Sequence, residues 1–190
     1  MRILCISDSH GSTRNVEKAI DNLNPDMIIF TGDGAGEIEN LSYIYDNIPF
    51  HIVKGNCDYG EYETSELFEV RSKRIFITHG HLYNVKQGYN EIIKAANNYD
   101  ADIVVFGHTH IAYQNYINGL FMLNPGSISG KGVQKPSCAY IDIVGNSVLT
   151  NIVYFWYIVS IVLILILKKS FSLLQIAMLW RVKDSRLQQQ

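Results

Sequence analysis

An α/β fold with two packed mixed sheets flanked by helices is predicted for this chain by three features of its sequence. Short apolar, β-rich runs alternate with helical patterns up to Phe106. Beyond Gly107 the pattern becomes hairpin-like, with Asn118-Gly119 and Gly145-Asn146 as the turn pairs. No internal repeat or low-complexity linker breaks the chain before residue 150, and 190 residues suffice for one compact domain.

In order, strands are expected over Ile3–Ser7, Met27–Phe30, Phe50–Val53, Ile75–Thr78 and Ile103–Phe106. Helices fall between them. The first covers about Thr13–Asn22 with Ser12 as its N-cap, the second Glu37–Asp46 and the third Val85–Asn98. The hairpins pair Tyr113–Ile117 with Leu120–Leu123, and Ala139–Val144 with Val148–Val153.

Charge is unevenly spread. Up to Thr150 there are 11 basic against 17 acidic side chains, and the last forty residues carry 5 basic against 1 acidic. An acidic body without a Lys/Arg stripe argues against a stable nucleic-acid partner. Cys5, Cys57 and Cys138 are an odd number with no CxxC spacing, so reduced thiols in a cytoplasmic protein are expected. The apolar opening Ile3–Ile6 is too short for a signal peptide and reads as a buried strand.

Histidine placement carries the chemistry. Five of the six, His10, His79, His81, His108 and His110, follow predicted strands or sit in the turns after them, His51 being the exception. In Asp8-Ser9-His10, residues i and i+2 project to one side and can chelate an ion from two directions. Gly32-Asp33-Gly34 places a carboxylate beyond the second strand, and Gly55-Asn56-Cys57-Asp58 offers a neutral amide oxygen beyond the third. Thr78-His79-Gly80-His81 and Gly107-His108-Thr109-His110 each end a strand with paired imidazoles. All five groups lie at carboxyl ends of candidate strands, where open α/β sheets assemble their sites.

Asp8-x-His10, Gly32-Asp33, Gly55-Asn56, His79-Gly80-His81 and Gly107-His108-x-His110 together resemble the five motifs of the calcineurin-like metallophosphoesterases. The size, the Gly55-Asn56-Cys57-Asp58 form and Asn124-Pro125-Gly126-Ser127 make the chain most similar to the small YfcE-like phosphodiesterase family. The resemblance covers residues 1–155 and leaves 156–190 as an apolar, then basic, C-terminal extension. It implies a four-layer αββα sandwich with two divalent metal ions at one edge of the sheets. Asp8, His10, Asp33 and His110 would hold one ion, and Asp33, Asn56, His79 and His108 the other. Manganese is the metal the resemblance favours, while zinc, iron, nickel and cobalt also suit such nitrogen and oxygen donors.

With that ligand set, Asp33 would bridge cations about 3.5 to 4 Å apart, the spacing of two-metal hydrolysis. Two divalent ions outweigh the charges of Asp8 and Asp33, leaving a positive site for an anionic substrate. The expected reaction is hydrolysis of a small phosphodiester by in-line attack of metal-activated hydroxide, without a covalent enzyme intermediate. Asp33, Asn56, Cys57 and His81 are the catalytic candidates; His81 is left over from the ligand count and is expected to support a ligand or contact substrate. Cys57 stands where many members of the superfamily place a proton-donating histidine. A thiol, with a reference pKa of about 8.5, is a poorer acid, so leaving groups that depart unaided should be favoured.

The rival function is a non-catalytic, metal-binding scaffold resembling the retromer subunit of vacuolar sorting. Its motifs are degraded, whereas every expected ligand is present here. Arg14, Lys131 and Lys135 could reach a substrate phosphate, although isolated basic loop residues are usually just solvated. A homo-oligomer is compatible with the sequence.

In the extension, Ile152–Leu167 is uncharged and ends at Lys168-Lys169. As a helix it would span roughly 24 Å, short of the roughly 30 Å hydrocarbon core. A closing strand near Val148–Tyr154 would shorten it further. Ser170–Trp180 is again uncharged, followed by Arg181, Lys183 and Arg186, a layout compatible with membrane association through an interfacial helix. An altered terminus without a role is the alternative.

Overall fold

The computed structural model describes residues 1–132 and 135–155. The elements in chain order are β1 (Arg2–Ile6), α1 (Arg14–Leu23), β2 (Met27–Phe30), α2 (Ala35–Ile44), β3 (Phe50–Ile52), β4 (Ser65–Val70) and β5 (Lys73–Thr78). A 3-10 turn (His81–Tyr83) follows, then α3 (Asn90–Asn98), β6 (Ile103–Val105), β7 (Tyr113–Ile117), β8 (Leu120–Asn124), β9 (Ser137–Val144) and β10 (Ser147–Tyr154). One five-stranded sheet has the order β10-β9-β1-β2-β3 and the other β4-β5-β6-β8-β7. Parallel pairing joins β1 to β2, β2 to β3, β5 to β6 and β6 to β8, so the carboxyl ends of the parallel strands in each sheet share an edge.

Alternation along the strands builds the layers. Ile3 and Cys5 of β1 pack with Ile29, Ile75, Ile77, Val105 and Ile141 between the sheets. Leu4 and Ile6 face the other way, onto Val16 and Ile20 of α1 and Ile38 and Leu41 of α2. In the second sheet Phe76, Val104 and Met122 turn outward to Ile92 and Ala96 of α3. Both faces of the central strands are therefore buried, which is why they read as continuous apolar runs without polar alternation. Each fully buried Ile or Phe contributes roughly 1.5–3 kcal/mol through the water-excluded area. This is the expected four-layer αββα sandwich.

His51, the histidine outside the motifs, clasps the two sheets where their edge strands β3 and β4 meet. Its Nδ1 lies 2.8 Å from Glu66 Oε1 and its ring stacks on Phe68 with centroids 3.8 Å apart.

Four local expectations change. Thr13, not Ser12, is the α1 N-cap residue, and it makes no side-chain cap hydrogen bond. Helix α2 starts at Ala35, two residues before the expected Glu37, because its first amides are held by Asp58. Helix α3 starts at Asn90, five residues after the expected Val85, beyond Gly88 at φ +155°. Strand β4 was not expected; it pairs with β5 through Arg71-Ser72, whose φ of +48° and +63° give the twist of a type I′ hairpin turn without its usual Asn-Gly. Among the described residues no helix is long and apolar enough to cross a membrane. Ile152–Tyr154, the start of the apolar run, complete β10, while the rest of the extension's apolar and basic segments fall in residues 156–190, which lie outside the described residues.

Candidate metal centre

Each motif lies where a parallel strand stops and the backbone reverses. Asp8 and His10 follow β1, Asp33 follows β2, Asn56 follows β3, His79 and His81 follow β5, and His108 and His110 follow β6. Asp8, His10, Asp33, His108 and His110 all have positive φ, between +45° and +68°. This left-handed conformation costs an L-residue about 1 kcal/mol or more and persists only where surrounding contacts enforce it.

Those contacts are cross-strand and specific. Ser127 Oγ and Ser129 Oγ each donate to the Asp8 carbonyl at 2.9 Å. Asn124 Nδ2 donates to the Gly107 carbonyl at 2.9 Å and to Thr109 Oγ1 at 3.1 Å, bracing the loop that presents His108 and His110. On the other flank Asp58 accepts four backbone amides: Asp33 and Gly55 on Oδ2, Gly34 and Ala35 on Oδ1, all within 2.7–2.9 Å. One carboxylate thereby ties the β2 and β3 loops together and caps α2. Gly55 is required for closeness: a Cβ there would stand 2.1 Å from Asp33 Oδ1.

The donor atoms converge as lone pairs. A ligand atom from each of Asp8, His10, Asp33 and His110 lies within 4.8 Å of the others. His110 Nδ1 is 2.9 Å from the Lys131 carbonyl, which can only accept, so the proton sits on Nδ1 and neutral His110 presents a bare Nε2. That Nε2 is 3.2 Å from both Asp8 Oδ1 and His10 Nε2. Asp8 Oδ1 is buried and has no aligned donor, although it is near enough to His110 to push the imidazole pKa up. His79 repeats the pattern: Nδ1 donates to the Thr31 carbonyl at 2.7 Å, and the buried Nε2 faces Asp33 Oδ1 at 3.5 Å with no hydrogen-bond partner. Buried acceptors facing acceptors are costly unless a proton or cation lies between them, and this donor set fits a divalent metal.

Three of the imidazoles are pushed toward the neutral form, whereas Asp8 pushes His110 the other way. Burial pushes His10 and His81 below the usual imidazole range. His108 is pushed down to about 4, by burial first and then by His79 and Lys86. Neutral rings at physiological pH are the form that ligates metal. Burial raises Asp33, but His79 and the Cys57 amide outweigh it and hold the carboxyl below its ordinary value.

The structure thus brings Asp8, His10, Asp33 and His110 into one cluster and sets His79 against Asp33. The rings of His79 and His108 are 5.0 Å apart. Asn56 and Cys57 are exposed beside Asp33, whose Oδ1 accepts the Cys57 amide at 2.9 Å; Asn56 Nδ2 points to Cys57 Sγ at 3.3 Å. Burial, then Asp33, raises the Cys57 thiol pKa, so it stays protonated and weakly acidic. Half-buried His81 stands 5.4 Å from the His79 ring and 6.0 Å from that of His108. Sequence reasoning missed Asp58, Ser129 and the carbonyl of Lys131. An aspartate in a Gly- and Asn-containing loop is the signal for the first, since such side chains capture backbone amides.

Comparison with known proteins points the same way. The family model of the calcineurin-like phosphoesterase superfamily domain matches residues 1–146. The Bacillus subtilis protein named Probable metallophosphoesterase YsnB is 32% identical over 151 residues, covering 79% of this chain and 88% of that protein. Phosphodiesterase YfcE of Escherichia coli K12 is 27% identical over 180 residues, covering 80% of this chain and 91% of that protein. Among solved structures, a Streptococcus pneumoniae protein described as a predicted phosphoesterase superposes with a TM-score of 0.69 at 28% identity, over 80% of this chain and 88% of that one. A Vps29 variant from Entamoeba histolytica does so at 0.66 and 25%, over 82% and 100%. With ligand-competent side chains at all five motifs and the family model matching most of its length, the chain belongs to the calcineurin-like phosphoesterase superfamily.

Proposed function

We propose that this chain is a binuclear metal-dependent phosphodiesterase acting on small phosphodiesters. The observation that carries the reading is the sharing of Asp33: it belongs to the cluster with Asp8, His10 and His110 and also faces the orphaned Nε2 of His79. One ion would be held by Asp8, His10, Asp33 and His110, and the other by Asp33, Asn56, His79 and His108. Two such cations, manganese being the expected metal, supply a water acidic enough to lose a proton near neutral pH and neutralise charge on the phosphoryl oxygens. The chain's own part is positioning. The Thr31 and Lys131 carbonyls fix the tautomers of His79 and His110, and Asp58 holds the loop that presents Asn56. The protonated Cys57 thiol stands beside Asp33 and the half-buried His81 beside His79 and His108, the first being a weak hydrogen-bond donor available to a departing oxygen.

The test is hydrolysis of bis-p-nitrophenyl phosphate and p-nitrophenyl phosphate with and without manganese, beside Asp33→Ala and His108→Ala. Metal-dependent diester cleavage lost in both variants is the expected result. Two metals bound per chain with no turnover under any divalent ion would instead favour a scaffold, the reading that likeness to Vps29 supports.

A further inference from the structure

The loop after β8 wraps the outer side of the centre. From Ser129, whose hydroxyl holds the Asp8 carbonyl at 2.9 Å, the chain passes through Gly130, Lys131 and Gly132. Lys131 is fixed through its backbone at both ends: its amide donates to Ser129 Oγ at 3.3 Å, and its carbonyl accepts from His110 Nδ1 at 2.9 Å. The flanking glycines have φ of +71° and +104°, and a Cβ on Gly132 would stand 3.3 Å from His110 Nδ1, so the backbone lies directly on the imidazole. The Lys131 side chain is exposed, and its ammonium has no carboxylate partner within ion-pair distance among the described residues.

An ammonium that no carboxylate among the described residues neutralises, carried on a backbone anchored to a metal-ligand candidate, differs from a solvated surface lysine. Its four-carbon stem is longer than an imidazole is wide, so it can reach past His110 toward a bound phosphate. We propose that Lys131 forms an anion subsite next to the metal centre, and that the preferred substrate is a phosphodiester bearing a second phosphate close to the scissile one. This assignment rests on the phosphodiesterase reading of the same centre.

The experiment measures binding without turnover. Thymidine 5′-monophosphate and thymidine 3′,5′-bisphosphate are titrated calorimetrically into the full-length protein loaded with manganese, for wild type, Lys131→Gln and Lys131→Arg. The wild type is expected to bind the bisphosphate about tenfold more tightly, a preference that weakens as salt screens the exposed ammonium. Lys131→Gln should bring it within about twofold, the statistical factor for two phosphates, and Lys131→Arg should keep it. A wild-type preference of no more than that factor, or one unchanged in Lys131→Gln, overturns the proposal. Turnover of bis-p-nitrophenyl phosphate is scored separately. A preference that depends on Lys131 without turnover leaves the subsite standing and removes the hydrolase reading, whereas turnover without the preference removes only the subsite.

Discussion

The two flanks of the centre are held in different ways. On the β1–β6 side, Asp8 is supported by two serine hydroxyls and the His108 amide, while Asn124 braces the neighbouring histidine loop. On the β3 side, Asp33, Gly34, Ala35 and Gly55 all donate to a single carboxylate, that of Asp58. The first flank is redundant and built from neutral hydroxyls and amides; the second is a charged keystone. Loss of one contact should therefore be graded on one side and abrupt on the other.

Asp58→Ala tests the abrupt side and should have the largest effect. Hydrogen bonds to a charged acceptor are worth about 1.5–3 kcal/mol each and are not additive, so a loss of roughly 3–5 kcal/mol is expected in urea denaturation at neutral pH. One equivalent of manganese should be lost with it, because Asn56 is no longer presented beside Asp33. A loss below about 1 kcal/mol would show that water replaces the carboxylate and would remove the contrast between the flanks.

His79→Ala and His81→Ala come next, measured as metal stoichiometry. Buried, carbonyl-anchored His79 should cost one ion per chain and lower affinity for the remaining one through its effect on Asp33. Half-exposed His81 should leave both ions bound with affinity reduced by about tenfold or less. Equal stoichiometry in the two variants would mean that anchorage of the second nitrogen does not distinguish ligand from neighbour.

Ser127→Ala tests the graded side. With Ser129 still donating to the Asp8 carbonyl, the cost should be about 1 kcal/mol, and the double change with Ser129→Ala should exceed the sum of the singles. A strictly additive pair would show that the hydroxyls act independently and that the redundancy is only apparent.

Much of this was legible in the sequence because the central strands are buried on both faces and the ligands sit at their ends. Leu4 and Ile6 on one face and Ile3 and Cys5 on the other make β1 a continuous apolar run, followed after Ser7 by Asp8. Strand β4 was hidden because Ser65, Glu66 and Glu69 are polar on an edge strand, and its turn takes positive φ at Arg71 and Ser72 without a glycine. Asp58 was hidden for another reason. A carboxylate in the same motif as Asn56 reads equally well as an ordinary turn former, and only the fold shows that all four amides point at it. The Ser12 cap failed because Ser12 belongs to the preceding turn, its amide donating to the Ser9 carbonyl, and Thr13 takes the N-cap position.

The smallest effect lies at the opposite end of β1, and it asks whether the redundant flank depends on the strand being held at both ends. Arg2 pairs with Asp142 of β9 through two bonds, Nε to Oδ1 at 2.9 Å and Nη2 to Oδ2 at 2.7 Å, with the guanidinium 4.6 Å from the Tyr140 ring centroid. Both side chains keep solvent contact, which limits Asp142→Asn to about 0.5–1 kcal/mol after screening. The Arg2 hydrogen bonds come first among the causes that hold the Asp142 carboxyl below its ordinary value. A depressed folded pKa contributes stability that is fully present above the unfolded carboxylate value of about 3.9 and is lost as pH falls through the folded value. The wild-type advantage should thus be constant from about pH 5 to 8 and fade below about pH 4, as read from urea midpoints. Manganese affinity should not change, because the ladder between β1 and β9 and the serine contacts hold Asp8 without the ion pair. If affinity fell together with stability, the redundant flank would be a cooperative unit running the length of β1, and the Ser127 and Ser129 variants would have to be read as changes to that whole strand.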